Sequence, residues 1–246
     1  KMGADYIGLH VGIDEQMQGR SPVETVKAVR AATALPIAVA GGLTSETLAT
    51  WRKLGLKTIA ISVVSDRAEH NHGVYLRKRP KDVYPDLATT VKFLRSFGFT
   101  IRLCVMMRKG CVDTPERVRD VVEFCQAQKI AQLTIRPLRK PTATTHDDDA
   151  SRDVTEHGVD EAEIAAISTW IETNGKRLLS LMHGAAVYDI GGQNVCLSDC
   201  LTLDATSDDI RTLIFYSDGR LMYDWQYDGA VILGPVCVAS DRRVNR

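Results

Sequence analysis

The chain has 246 residues, 44% of them hydrophobic and 25% charged, and its 31 basic and 31 acidic side chains cancel to zero formal charge. That balance leaves no electrostatic footprint for nucleic acid or an anionic membrane, and the apolar runs are strand-sized, short of the ~20 residues of a membrane span. Six cysteines (Cys104, Cys111, Cys125, Cys196, Cys200 and Cys237) lack a secreted-scaffold rhythm, and no signal-peptide pattern is present, so a reducing cytoplasm is expected.

In chain order, the sequence begins at Lys1 and enters a strand almost at once, which reads as a truncated start. Tyr6 to Val11 is a short apolar run and a predicted strand. Ser21-Pro-Val-Glu24 predicts a helix start, with Ser21 as N-cap, Pro22 in the first turn and Glu24 closing a capping box. That helix runs to about Ala32. Leu35 to Ala40 is the next strand and ends in Gly41-Gly42. Thr44 to Leu54 predicts a helix stopped by Gly55, and Thr58 to Val64 a third strand.

The polar, basic stretch from Ser65 to Tyr84 reads as a loop. Pro85 opens a helix that ends before Gly98, and Phe99 to Met106 is a fourth strand. Thr114-Pro115 starts a helix with Val118, Val121, Val122 and Cys125 on one face, and Gln132 to Pro137 is a fifth strand. Residues 139–158 are too polar to pack and read as a mobile loop; His146 with its neighbouring aspartates reads as solvated. Asp160 and Glu163 cap a helix with an Ile164, Ile167, Ile171 stripe. The tail carries a hairpin around Asp218-Gly219.

Strands alternating with amphipathic helices specify an α/β fold with a parallel sheet. About five barrel strands before residue 140 fall short of the eight of a closed barrel. The expectation is a partial or incomplete TIM-type (β/α) barrel with a small C-terminal β appendage. Its predicted divisions are a βαβ segment over 1–48, a partial barrel over 43–185 and a β-rich appendage over 186–246.

Two resemblances overlay this pattern. The run from Gly3 to Gln16, the Gly19-Arg-Ser-Pro helix start and Pro36-Ile-Ala-Val-Ala-Gly-Gly resemble the hexulose-6-phosphate synthase and ketogulonate-6-phosphate decarboxylase family of ribulose-phosphate-binding barrels. The resemblance implies that His10 assists proton transfer on an enediolate intermediate. It also implies that Gly41 and Gly42 bare the backbone to a phosphate. The family's Asp-x-Lys-x-x-Asp motif, which supplies Mg²⁺ ligands and a catalytic lysine, occurs nowhere in the sequence.

From about Leu43 onward the chain resembles the C-terminal part of a radical SAM enzyme. The carrying residues are Thr47 to Asp66, Tyr84 to Leu94, Gly98 to Gly110, and Glu123-Phe-Cys followed by Gln132 to Pro137. This resemblance implies S-adenosylmethionine and a [4Fe–4S] cluster as cofactors, with Ser62, Ser65 and Arg136 at strand ends touching the S-adenosylmethionine. The Cys-x3-Cys-x2-Cys cluster loop is absent: Cys196 and Cys200 have the first spacing, but position 203 is Leu. No metal ligands are assigned. The leading expectation is a radical SAM fragment, inactive alone, acting on a small-molecule substrate. The alternatives are a Mg²⁺-dependent aldolase or decarboxylase of pentulose or hexulose phosphates, and a non-catalytic scaffold.

Overall fold

The computed structural model describes residues 6–10, 18, 21–40, 43–76, 78–139, 149–181, 184–198, 212–216, 218–223 and 229–234. The first unit is a right-sized βαβ: β1 (Ile7–His10), α1 (Val23–Ala32) and β2 (Ile37–Ala40), with β1 and β2 paired in parallel. Alternation sets its two faces. Ile7, Leu9, Ile37 and Val39 are half-buried, and Gly8, His10, Ala38 and Ala40 are exposed. The expected capping box at α1 does not form. Only half of it is present: the Ser21 hydroxyl accepts from the Val23 N–H at 3.3 Å, but Glu24 pairs with Lys27 at 2.7 Å instead of closing the box.

A 3-10 turn (Ser45–Thr47) leads into α2 (Leu48–Lys53), which buries Leu48 and Trp51. Gly55, at φ 91°, reverses the chain as expected of a helix stop. Then follow β3 (Thr58–Val63), α3 (Ala68–Tyr75), α4 (Leu87–Ser96), β4 (Thr100–Met107), α5 (Pro115–Ala127) and β5 (Gln132–Pro137). After them come α6 (Asp149–His157), α7 (Glu161–Asn174), β6 (Lys176–Ser180), β7 (Ala186–Ile190) and β8 (Gln193–Leu197). The last elements are β9 (Ile214–Phe215), β10 (Leu221–Met222) and β11 (Val231–Leu233).

The main sheet has six strands in the order β3-β4-β5-β8-β7-β6. β3, β4, β5 and β8 run parallel, whereas β7 is antiparallel to β8 and to β6. Among the described strands β3 and β6 are its edges. Among the described strands, the five expected in one barrel wall therefore divide, β1 and β2 pairing with each other and β3 to β5 entering the larger sheet.

Helices cover one face of the main sheet: α4 lies on β4, α5 on β5 and β8, and α7 on β7 and α5. The core beneath them is contiguous, from Ile101, Leu103 and Val105 of β4 through Val118, Val121 and Val122 of α5 to Ile167 and Ile171 of α7. Val26 of α1 belongs to the same cluster, and Leu9 and Val39 pack against it.

Two expected loops contain helices. The 65–84 stretch holds α3, and the 139–158 stretch holds α6, while His146 lies outside the described residues. Residues 186–197, grouped with the tail by composition, supply two strands of the main sheet; they are joined by Gly191-Gly192 at φ 58° and 88°, a two-residue turn that only glycine enters without strain. The hairpin around Asp218-Gly219 is present and pairs β9 with β10 in a separate three-stranded sheet with β11. Among the described residues no helix is long and apolar enough to cross a membrane.

Candidate functional site

Ligand sites in parallel α/β sheets gather where strands end and loops begin. Three such groups are built here. At the first, β1 and β2 pair in register with His10 opposite Ala40, so the imidazole and the residue before Gly41 lie abreast at the two carboxyl ends. His10 shares its exposed face with Gly8, Ala38 and Ala40, and a Cβ added at Gly8 would meet nothing within 4 Å. The result is a surface of small side chains with one imidazole at its edge. Gly41 and Gly42 themselves lie outside the described residues.

The second group forms at the end of β3. Ser65 is fully buried. Its hydroxyl donates to Asp66 at 3.1 Å and accepts from the Arg67 N–H and the Arg117 guanidinium at 3.2 and 3.3 Å. Asn71, also fully buried, donates to the Ser65 and Arg67 carbonyls at 2.8 and 3.0 Å and accepts from the Val64 N–H at 2.9 Å. This clasp ties the end of β3 to the first turn of α3, replacing the apolar stripe α3 lacks. Arg117, on α5, adds ion pairs to Asp66 at 2.8 Å and to Asp120. Ser65 is thus consumed by structure.

Ser62 and Arg136 sit elsewhere. Both are exposed, on the face of the sheet opposite the described helices α4, α5 and α7. The three residues expected together at strand ends therefore divide, Ser65 into the buried clasp and the other two onto the open face.

The third group escaped the sequence reading. Arg108 follows β4 directly, is buried, and grips both carboxylate oxygens of Asp153 on α6. The His157 ring nitrogen Nδ1 lies 3.5 Å from the Asp153 carboxylate, and the Lys109 N–H bonds the His157 carbonyl at 2.9 Å. These side chains, with Tyr75 and Lys78, line a cleft of ≈ 920 Å³ between α3 and α6. Tyr75 stacks on Tyr84 with ring centroids 6.0 Å apart, and burial, assisted by Tyr84, pushes its phenol up to about 12, so it stays neutral at physiological pH. An imidazole steadied by a clamped carboxylate can exchange protons with a molecule in this cleft. Its signal was a lone arginine ending an apolar strand, but its partners lie in a segment too polar to read as a helix.

Neither implied metal group finds a ligand set among the described residues. Among the described residues no three His, Cys, Asp or Glu side chains could hold a metal ion together. Burial raises the thiols of Cys111 and Cys125, the latter to about 12, which keeps them protonated and poor ligands. Cys196 is buried on β8, and Cys200 lies outside the described residues. The Mg²⁺ of the aldolase resemblance and the cluster of the radical SAM resemblance thus have no described ligand set.

No family model matches the chain. Similarity is found to 3-hexulose-6-phosphate synthases of Staphylococcus aureus strains USA300, NCTC 8325 / PS 47 and COL, each 43% identical over 49 residues. That span is 20% of this chain and 23% of each relative, so the chain spans about a quarter of the length of the curated relatives it matches. Over that span the chain is similar to 3-hexulose-6-phosphate synthases.

Proposed function

We propose that the β1–α1–β2 unit binds a phosphorylated ketose in the manner of the hexulose-phosphate synthases, and that this chain derives from carbon–carbon lyase or aldolase chemistry on pentulose or hexulose phosphates. The carrying observation is the register that sets His10 beside Ala40, the residue leading into Gly41-Gly42. In this reading the Gly41-Gly42 segment donates backbone N–H groups to the phosphate. His10 then stands within one strand spacing, ~4.8 Å, of that end of the ligand, placed to move a proton on the ketose carbons. The 43% identity over 49 residues supports the same assignment.

Binding is the activity this chain's residues support. The Asp-x-Lys-x-x-Asp motif is not in the sequence and the described side chains offer no Mg²⁺ site, so no step is assigned to a metal. The radical SAM reading has no corresponding support, and its S-adenosylmethionine site at Ser62 and Arg136 stands as a proposal on order of segments alone. The test is thermal unfolding with ribulose 5-phosphate. At a hundredfold excess over the dissociation constant a specific ligand adds about 2.7 kcal/mol of stability, visible as a raised midpoint. The reading predicts that rise for ribulose 5-phosphate and none for ribose, and an unmoved midpoint at millimolar ribulose 5-phosphate overturns it.

A further inference from the structure

Helix α6 forms one wall of the ≈ 920 Å³ cleft and supplies half of the residues that line it, Asp153 and His157 among them. Its attachment to the body differs in kind from that of its neighbours. α5 buries Val118, Val121, Val122 and Cys125 against the sheet, and α7 buries Ile167 and Ile171. Among the described side chains of α6 none is buried: Asp153, Val154 and His157 are half-buried, and Arg152, Thr155 and Glu156 are exposed.

What holds α6 is polar and is concentrated at the end of β4. Arg108 grips both carboxylate oxygens of Asp153, and the next residue, Lys109, donates its backbone N–H to the His157 carbonyl at 2.9 Å. At the other end of the helix Lys78 approaches Asp149 only to 4.0 Å, with both side chains exposed, a pair that contributes little in water. The Arg108 side chain is 10% exposed and that of Asp153 28%. Lifting α6 returns both charges to water, and their recovered hydration offsets part of the lost ion pair. Little apolar surface is uncovered in the same step, so the hydrophobic cost is small. A segment with few buried apolar contacts and polar attachments opens at a lower free energy than the core beside it.

We propose that α6 is a lid, latched by Arg108 and Lys109, that lifts from the end of β4 while the main sheet stays folded. The cleft and its Asp153–His157 pair are then assembled only in the latched state, and a molecule held between α3 and α6 selects that state. The device uses no residue of the His10 surface and stands apart from the ketose-binding reading.

The experiment is native-state hydrogen exchange of the whole chain, read from amide NMR signals at increasing urea below the unfolding transition. Lys109 is the diagnostic amide, because it continues β4 in sequence yet is bonded to the last residue of α6. The expected result is that Lys109 shares one opening free energy with the α6 amides and with Gly158, whose N–H bonds the Val154 carbonyl. These amides should exchange at least about tenfold faster than Val105 in the middle of β4. Their exchange should depend only weakly on urea, since little surface is exposed by the opening. In Asp153→Asn, Lys109 and the α6 amides should speed up by a common factor. Lys109 exchanging in step with Val105, or α6 opening with the steep urea dependence of global unfolding, overturns the proposal. So does an Asp153→Asn chain in which the α6 amides speed up and Lys109 does not. The comparison of Lys109 with Val105 needs the parent chain alone, so it decides the matter even where Asp153→Asn does not fold.

Discussion

Replacing Asn71 by Ala tests the claim that a buried polar clasp, rather than an apolar stripe, fixes α3 against the end of β3. The side chain is fully buried and makes three hydrogen bonds, at 2.8, 2.9 and 3.0 Å. Each contributes about 1 kcal/mol net, and the Val64 N–H left behind has no other partner to turn to. The expected loss is about 3 kcal/mol, a sizeable share of the 5–15 kcal/mol of an ordinary domain. Urea unfolding followed by far-UV circular dichroism should show a lower midpoint at unchanged slope. Asn71→Asp adds a sign. Its carboxylate keeps the Val64 bond but faces two carbonyl oxygens, and burial there raises its pKa, so the variant should lose stability as pH rises from 5 to 8. A loss below about 1 kcal/mol for Asn71→Ala, or an Asn71→Asp variant insensitive to pH, would refute the reasoning.

Three further outcomes follow from the same contacts. Asp153→Asn strands the buried Arg108 charge and should cost about 3 kcal/mol, whereas Arg108→Met, which leaves the part-exposed Asp153 to water and His157, should cost roughly half that in the same urea assay. The Cys125 thiol and the Tyr75 phenol, both held up to about 12 by burial, stay protonated in the fold after the unfolded chain has ionised. Stability should therefore fall as pH rises from about 9 toward 12, and Cys125→Ala should flatten that fall, as measured by chemical unfolding at stepped pH. Gly192→Val forces φ 88° on a β-branched residue in the β7–β8 turn and should cost at least 1 kcal/mol of thermal stability.

Much of the fold was legible because burial in parallel strands and amphipathic helices writes a plain pattern. β5 fell on Gln132–Pro137 as expected, and Val118, Val121, Val122 and Cys125 are the buried face of α5. Asp160 and Glu163 do form a reciprocal cap. What escaped reading was held by polar contacts. α3 is secured by Asn71 and α6 by the Arg108–Asp153 pair, and neither has the apolar period that marks a helix. The place of β7 and β8 turned on Gly191-Gly192, a hairpin signal between two short apolar runs that composition assigned to the tail. For the site, a strand-end position was readable for His10, but side-chain direction was not. Ser65 turned into the clasp while Ser62, three residues earlier, stayed on the open face.

Titrating the chain with ribulose 5-phosphate while observing the His10 imidazole ring by NMR tests the assignment most directly. The account predicts a saturable shift of that ring, matched by heat of binding in calorimetry, and loss of affinity of tenfold or more when Gly41 is replaced by Val. An imidazole that does not respond at millimolar ligand, or binding that survives Gly41→Val unchanged, would contradict it.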